Sequence, residues 1–418
     1  MLIAAVILVA LALIGLPLFV VLGAGSLLYA RDSGLDTALL IIELNRLATS
    51  PNLATIPLFT LAGVMLAAGG APQRLIRLFN ALLGWLPGGL AVVAIAACAF
   101  FTSFSGASGV TILALGGLLY PVLVKVHYPE RFSLGLLTTS GSLGLLFAPS
   151  LAILLYGIVS GVNIDELFLA GILPGSLLML ILGLYAAFTG RRFGVGHHPF
   201  AVHVALRAIR AGIWDILLPI LIIVGIFGGF VTVSEAAACT ALYVLVMESW
   251  IHRTINLKTQ LGTLLTDTAV LVGSILIILG VAMGLTNLMI DAQLPMKLLD
   301  WLQDSIDSPV KFLILLNIFL LAVGAMMDVF SATVVIVPLL LPLAQRFGID
   351  PVHLGIIFLA NLEIGYSTPP VGINLFIACQ RFEKPIHSLF RATLPFLGLM
   401  LVWLMLVTYV PALSLWWR

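Results

Sequence analysis

Long apolar runs separated by short charged stretches set the pattern of this chain. A helix crossing a bilayer needs about 20 mostly apolar residues. Runs of this kind occupy residues 2–23, 53–69, 170–189, 213–231, 234–251, 267–290 and 392–411. The run at 53–69 is short, and Pro51 and Gly69-Gly70 mark its ends. Segments 35–48 and 71–85 mix apolar residues with Glu43, Arg46, Arg74 and Arg77. That mixture predicts amphipathic helices in the interface plane, with solvated loops as the alternative.

Two longer apolar regions, 88–160 and 311–380, do not divide into simple spans, because Gly, Ser, Thr and Pro interrupt them in mid-run. Thr102-Ser103-Phe104-Ser105-Gly106-Ala107-Ser108-Gly109 splits 88–124 into two arms. At about 15 residues, each arm reaches only about 22 Å, which predicts a re-entrant hairpin with its tip near the midplane. Met326-Met327-Asp328-Val329-Phe330-Ser331-Ala332-Thr333 divides 311–347 in the same way. Downstream of each hairpin, Gly144 to Pro149 and Gly365 to Pro370 interrupt a further apolar segment. Proline removes an amide donor and clashes with the carbonyl four residues back, so both segments are expected to be broken helices.

These interruptions repeat. A shift of 221 residues pairs Pro121 with Pro342, Gly144 with Gly365, Pro149 with Pro370 and Pro174 with Pro395. Basic residues orient the copies, because cytoplasmic loops carry the excess of Lys and Arg. The clusters are Arg191, Arg192, Arg207 and Arg210; His252, Arg253 and Lys258; Arg381, Lys384 and Arg391; and Lys125 with Arg131. All four lie on one side if 213–231 and 234–251 form a tight helical hairpin. Asp165-Glu166 and the stretch holding Asp291, Asp300, Asp304 and Asp307 then face outward, with the N-terminus inside and the C-terminus outside. The second copy is inverted relative to the first, and nine crossings plus two re-entrant segments satisfy the pattern. The expected organisation is a first inverted repeat at 1–190, a basic linker and connecting helix at 191–231, and a second repeat at 232–418.

Composition agrees. Of the 418 residues, 61% are hydrophobic and 9% charged, with mean hydropathy +1.21, against about 25% charged in soluble domains. The fold class is therefore an all-α polytopic membrane protein. Net charge is +1, which gives no field for nucleic acid. Cys98, Cys239 and Cys379 lie far apart in apolar runs and read as small buried residues. The first twenty-two residues lack a basic start and an obvious cleavage site, so they read as a span rather than a signal peptide.

Backbone polar groups in hydrocarbon must find partners, so helices unwind at depth only where they are buried or line a polar cavity. Hairpin tips meeting unwound stretches gather carbonyls and hydroxyls, the ligand type of hard cations such as Na⁺. Helix N-termini at the same points suit a carboxylate. One site type thus holds a cation and the substrate anion side by side, and two inverted copies give two such cation sites. Asp328 stands out, because an intramembrane carboxylate is costly; cation ligand, proton acceptor and helix cap all remain open for it. Glu363 precedes the second break and reads either as functional or as a carboxylate paired with backbone or water. Glu235, following Thr232 and Ser234, reads as a capping residue. Asn287, Asn317, Asn361 and Asn374 suit interhelical hydrogen bonds, and Asn361 and Asn374 flank the second break.

Phe104-Ser105-Gly106-Ala107-Ser108, Gly171-Ile172-Leu173-Pro174-Gly175 and Gly365-Tyr366-Ser367-Thr368-Pro369-Pro370-Val371-Gly372-Ile373-Asn374 resemble the large membrane subunit of TRAP transporters, the tripartite ATP-independent periplasmic family. The likeness runs along essentially the whole chain. It implies an inverted-repeat elevator in the inner membrane, driven by Na⁺ as coupling ion and using no other cofactor. The implied partners are a separate four-helix membrane subunit and a periplasmic binding protein that delivers small carboxylates. The first cation site so implied uses Ser103, Ser105, Gly106, Ser108, Gly144 and Pro149, and the second Asp328, Ser331, Gly365, Thr368 and Pro369. Ser105, Ala107, Thr368 and Asn374 are the expected substrate contacts.

The rival reading within transport is a stand-alone Na⁺-coupled divalent-anion symporter without a binding protein. An intramembrane enzyme is disfavoured, since HExxH and G-x-S-x-G are absent and Ser105 and Ser108 lack an obvious His or Lys partner. A channel does not require an inverted duplication around broken helices. No G-x-x-x-x-G-K-[ST] loop supports an ATP-driven pump.

Overall fold

The computed structural model describes residues 16–34, 36–86, 88–195, 201–291 and 308–418, with Ile7, Leu8, Leu11 and Gln293. Of the expected first span, Ile7, Leu8, Leu11 and residues 16–23 are described, the last running into the helix Leu18–Asp32. Asp300, Asp304 and Asp307 lie outside the described residues. All regular structure among the described residues is helical. Six helices there are long and apolar enough to cross a membrane, and three further helix pairs are bent by 75°, 45° and 67°.

Two helix groups form. An outer bundle packs Leu18–Asp32, Ala38–Ala48 and Thr55–Ala68 against the 35-residue helix Leu257–Asp291. Val233–Val246 packs on Thr55–Ala68, and Ile213–Phe227 packs on Val233–Val246. The last two form the expected helical hairpin, with the Tyr243 hydroxyl donating to the Trp214 carbonyl at 2.8 Å. Leu257–Asp291 starts ten residues before the expected span, because Thr259, Thr266 and Asp267 interrupt the apolar run without breaking the helix. Thr232 and Glu235 form a reciprocal capping box, as the sequence predicts.

The inner bundle holds two helical hairpins, two broken spans and the helices Ile164–Arg192 and Ile386–Tyr409. The first hairpin is Gly89–Ser105 with Ser108–Lys125, and the second is Pro309–Met326 with Val329–Arg346. Their arms have 17 or 18 residues, longer than the sequence reading assigned, because the polar tips shorten to two residues. The first broken span is Glu130–Ser140 with Leu151–Ser160, and the second is Pro351–Gly365 with Ile373–Phe382. Shifted by 221, the tip at Gly106-Ala107 falls on Met327-Asp328, and Lys125 falls on Arg346.

Ion pairs at the two ends show that the broken spans run antiparallel. Glu130, at the start of the first, pairs with Lys384, just past the end of the second, at 2.6 Å. At the opposite end, Arg418 bridges Asp350 and Glu166, and the Tyr156 hydroxyl donates to the Pro351 carbonyl at 2.7 Å. The hairpins therefore enter from opposite ends, and their tips meet the breaks halfway. Asn317, Asn361 and Thr408 join three inner helices through buried hydrogen bonds, the role expected of asparagine there.

Candidate functional site at the hairpin tips and helix breaks

The first hairpin turns because Gly106 adopts φ +65°, a left-handed geometry that closes helix C-termini and favours glycine. Ala107 is extended and Ser108 begins the second arm. Opposite this tip, Glu130–Ser140 gives way to a 3₁₀ turn at Leu143–Leu146, and Phe147 is extended. A cis Ala148-Pro149 bond follows, and Ser150 caps the next helix. The Thr102 hydroxyl lies 2.8 Å from the carbonyls of Cys98 and Gly141 and 2.6 Å from the Thr111 hydroxyl. Gly144 packs directly on the hairpin: a Cβ there would sit 2.3 Å from the Ser103 amide nitrogen and 2.4 Å from the Ala99 oxygen.

The second tip repeats this plan with different chemistry. Asp328 caps Val329–Arg346, its Oδ1 accepting from the Phe330 and Ser331 amides at 3.0 Å each. Helix capping is thus one role of Asp328. The Tyr366 hydroxyl accepts from the Val329 amide. In the break, the amides of Val371 and Gly372 both donate to the Ala325 carbonyl at 3.1 Å. Pro369-Pro370 is cis, and Gly365 presses on the Gly324 backbone, where a Cβ would approach to 2.4 Å.

The two copies are also joined to each other, which the sequence reading did not anticipate. The Ser108 hydroxyl donates to Asn374 Oδ1 at 2.7 Å, tying the first tip to the second break. A Cβ on Gly109 would meet Ile377 at 2.4 Å, and the Asn374 amide donates to the Tyr366 carbonyl at 3.0 Å. Ala107, Ser108 and Asn374 are therefore neighbours. Thr368 lies in the same break and donates to the Ile364 carbonyl at 3.0 Å. Pro369 is exposed, whereas Pro149 is buried. Ser105 lies beside Ala107 and also borders a groove of about 550 Å³ shared with Asp267 and Gly63 of the outer bundle.

Buried polar atoms without a hydrogen-bond partner gather in the broken spans. They include Ser140 Oγ, Asn361 Oδ1, both carboxylate oxygens of Glu363, Ser367 Oγ and Asn374 Nδ2. Glu363 and Ser367 are one helical turn apart and fully buried. Neither Glu363 carboxylate oxygen takes a hydrogen bond from protein among the described residues, and both readings of Glu363, functional or paired with backbone or water, stay open. Leaving such groups unmatched costs about 1–3 kcal/mol each, and more for a charged one, so this region suits a polar occupant.

An alkali cation fits the donor set. The oxygen donors that the tips and breaks present are carbonyls and hydroxyls, and no cluster of three His, Cys, Asp or Glu side chains occurs among the described residues. Ser103 donates to Phe100 at 2.7 Å, yet its oxygen, like that of Thr368, keeps lone pairs for a cation. Thr102, Thr111, Gly141, Tyr366 and Ser367 are site neighbours that sequence reasoning did not select. All lie beside or within the quoted motifs, and the hydroxyl content of those motifs was the available signal.

The family model described as "Tripartite ATP-independent periplasmic transporter, DctM component" matches residues 5–413. The C4-dicarboxylate TRAP transporter large permease protein DctM of Pseudomonas aeruginosa is 35% identical, over 93% of this chain and 90% of that one. An isethionate TRAP transporter permease protein, DctMQ, of Oleidesulfovibrio alaskensis is 33% identical, over 86% of this chain and 57% of its own length. Among solved structures, the Alcanivorax borkumensis YdaH transporter superposes with a TM-score of 0.65 over 97% of both chains at 17% identity, a likeness of fold.

Proposed function

The chain belongs to the DctM component family of the tripartite ATP-independent periplasmic transporters, and on that premise we propose that it is the large permease of a Na⁺-coupled importer of small organic acids. The observation that carries this reading is the set of buried polar atoms without a protein partner in the two broken spans, Ser140 in the first and Asn361, Glu363, Ser367 and Asn374 in the second. An ion and a carboxylate together complement such a set: carbonyls and hydroxyls face the cation, and amides and helix N-termini face the anion.

Two cation sites follow from the two copies. Ser103, Ser105, Gly106, Ser108, Gly144 and Pro149 contribute to the first. Asp328, Ser331, Gly365, Thr368 and Pro369 contribute to the second, with Asp328 supplying its second oxygen while the first caps the helix. Ala107, Ser105, Thr368 and Asn374 contact the organic acid between them. Because Ser108 and Asn374 join the copies, filling one site stiffens the other, which couples ion to substrate. The relatives named for C4-dicarboxylate and isethionate support an organic-anion cargo.

The inner bundle travels as a unit against the outer bundle, in the manner of an elevator. Partners are a small membrane subunit and a periplasmic binding protein. The chain sits in the inner membrane with its basic end cytoplasmic and its C-terminus periplasmic. Its two repeats span 1–190 and 232–418.

Uptake by proteoliposomes holding the chain with its small subunit tests the proposal. Accumulation of a labelled C4-dicarboxylate should require both the binding protein and an inward Na⁺ gradient. Undiminished uptake when K⁺ replaces Na⁺ contradicts the coupling, and uptake without the binding protein favours the stand-alone symporter.

A further inference from the structure

Away from the hairpin tips, two helices lie across the ends of their spans. Ala71–Leu83 turns 75° from Thr55–Ala68, and Val202–Ala211 turns 67° into Ile213–Phe227. The two pack side by side, so they sit in the interface plane at the same membrane face. Between them lies a cleft of about 580 Å³. Arg77 enters it from one helix and Arg207 from the other, Asn80 adds an amide, and Ala81, Gly84 and Ala208 keep the floor small.

Arg74 also borders the cleft but is already committed. It makes two 2.8 Å contacts to Asp215 and pairs with Glu248. Arg77 and Arg207 have no hydrogen-bond or ion-pair partner among the described residues and are exposed. Two guanidinium groups from opposite helices, above a floor of small side chains, suit a phosphate, which arginine grips bidentately.

The surroundings indicate which phosphate. The cleft is bordered by Trp85, 46% exposed, and Val204, 45% exposed. Tryptophan with apolar neighbours at helix ends marks the headgroup level of a bilayer. The chain reaches Val202 from Arg191 and Arg192 through a short connector, so this face carries the densest positive charge and is the cytoplasmic one by that rule. Anionic lipids are concentrated in that leaflet. We propose that the cleft binds the headgroup of an anionic phospholipid, with Arg77 and Arg207 on the phosphate and the acyl chains along the apolar rim. Free phosphate would satisfy the arginines and leave the rim uncovered. A lipid here clamps the two in-plane helices together beside the hinge to Thr55–Ala68.

The test measures binding of dioctanoyl phosphatidylglycerol, dioctanoyl phosphatidylcholine and inorganic phosphate to the purified chain, by native mass spectrometry. Each cationic side chain facing an anionic headgroup changes affinity about fivefold, so R77Q/R207Q should weaken phosphatidylglycerol about 30-fold and leave phosphatidylcholine unchanged. R77K/R207K should stay within a few-fold of wild type, which separates loss of charge from loss of folding. Millimolar inorganic phosphate should not displace the lipid. Equal phosphatidylglycerol binding by wild type and R77Q/R207Q overturns the proposal, as does displacement by inorganic phosphate. Expulsion of the lipid by the small membrane subunit also overturns it, by assigning the cleft to protein.

Discussion

Gly144→Ala probes the contact between the first hairpin and the first break. The added Cβ would lie 2.3 Å from the Ser103 amide nitrogen and 2.4 Å from the Ala99 oxygen, whereas ordinary contact begins at 3.4 Å. Both neighbours are backbone, so no rotamer change relieves the clash, and the hairpin arm must retreat by about 1 Å. Overpacking of this kind costs about 1–3 kcal/mol, which a bundle this size tolerates without unfolding. The functional effect is larger in proportion. Ser103 and Ser105 ride on that arm and the tip to Ser108 follows it, and oxygen ligands of hard cations work within a few tenths of an ångström. Losing one charged contact, at about 1.5–3 kcal/mol, raises the half-saturating Na⁺ concentration about 10- to 100-fold. Gly183→Ala is the control, since nothing lies within 4 Å of its Cβ position. Na⁺ titration of uptake in proteoliposomes, alongside thermal unfolding, reads both effects. Wild-type Na⁺ dependence in G144A, with the protein folded, would refute the reasoning.

Asp328→Asn keeps an oxygen for the Phe330 and Ser331 amides but loses the charge. It should unfold like wild type while losing Na⁺ dependence, whereas Asp328→Ala also loses about 1 kcal/mol of capping; thermal scans and Na⁺ titrations of both variants separate the roles. Arg74→Met strands Asp215 and Glu248, which are almost fully buried, and should cost about 3–5 kcal/mol, with D215N partly restoring the melting temperature. A double-mutant cycle on Ser108→Ala and Asn374→Ala should return a coupling of about 1 kcal/mol in substrate half-saturation; additive effects would separate the two copies. Gly63→Val should slow uptake while sparing substrate binding, because a Cβ at Gly63 meets the Phe104 oxygen at 2.4 Å across the two bundles.

Much of this was legible in the residues. Gly-Ala-Ser at 106–108 and the Gly-to-Pro stretches at 144–149 and 365–370 forced interruptions, because in hydrocarbon such sequences have few other uses. The 221-residue shift followed from those same positions, and the end-to-end ion pairs of Glu130 and Arg418 run the two broken spans antiparallel. The Ser108–Asn374 contact was not legible, because the residues are 266 apart and no local pattern encodes docking across copies. The capping by Asp328 was one of three readings left open, and a lone Asp before an apolar run cannot choose among them. Helix Val202–Ala211 was read only as basic linker, since Arg207 and Arg210 were taken as loop charge although its ten residues are strongly amphipathic.

Most directly, the central claim is tested by an experimental density map of the complex in Na⁺ with a C4-dicarboxylate. Ion density should appear where Ser103 to Ser108 meet Gly144, and where Asp328 meets Gly365 to Thr368, with substrate density beside Asn374. Ordered ion and substrate density elsewhere in the chain, with protein or lipid filling the junction of the tips and breaks, would contradict it.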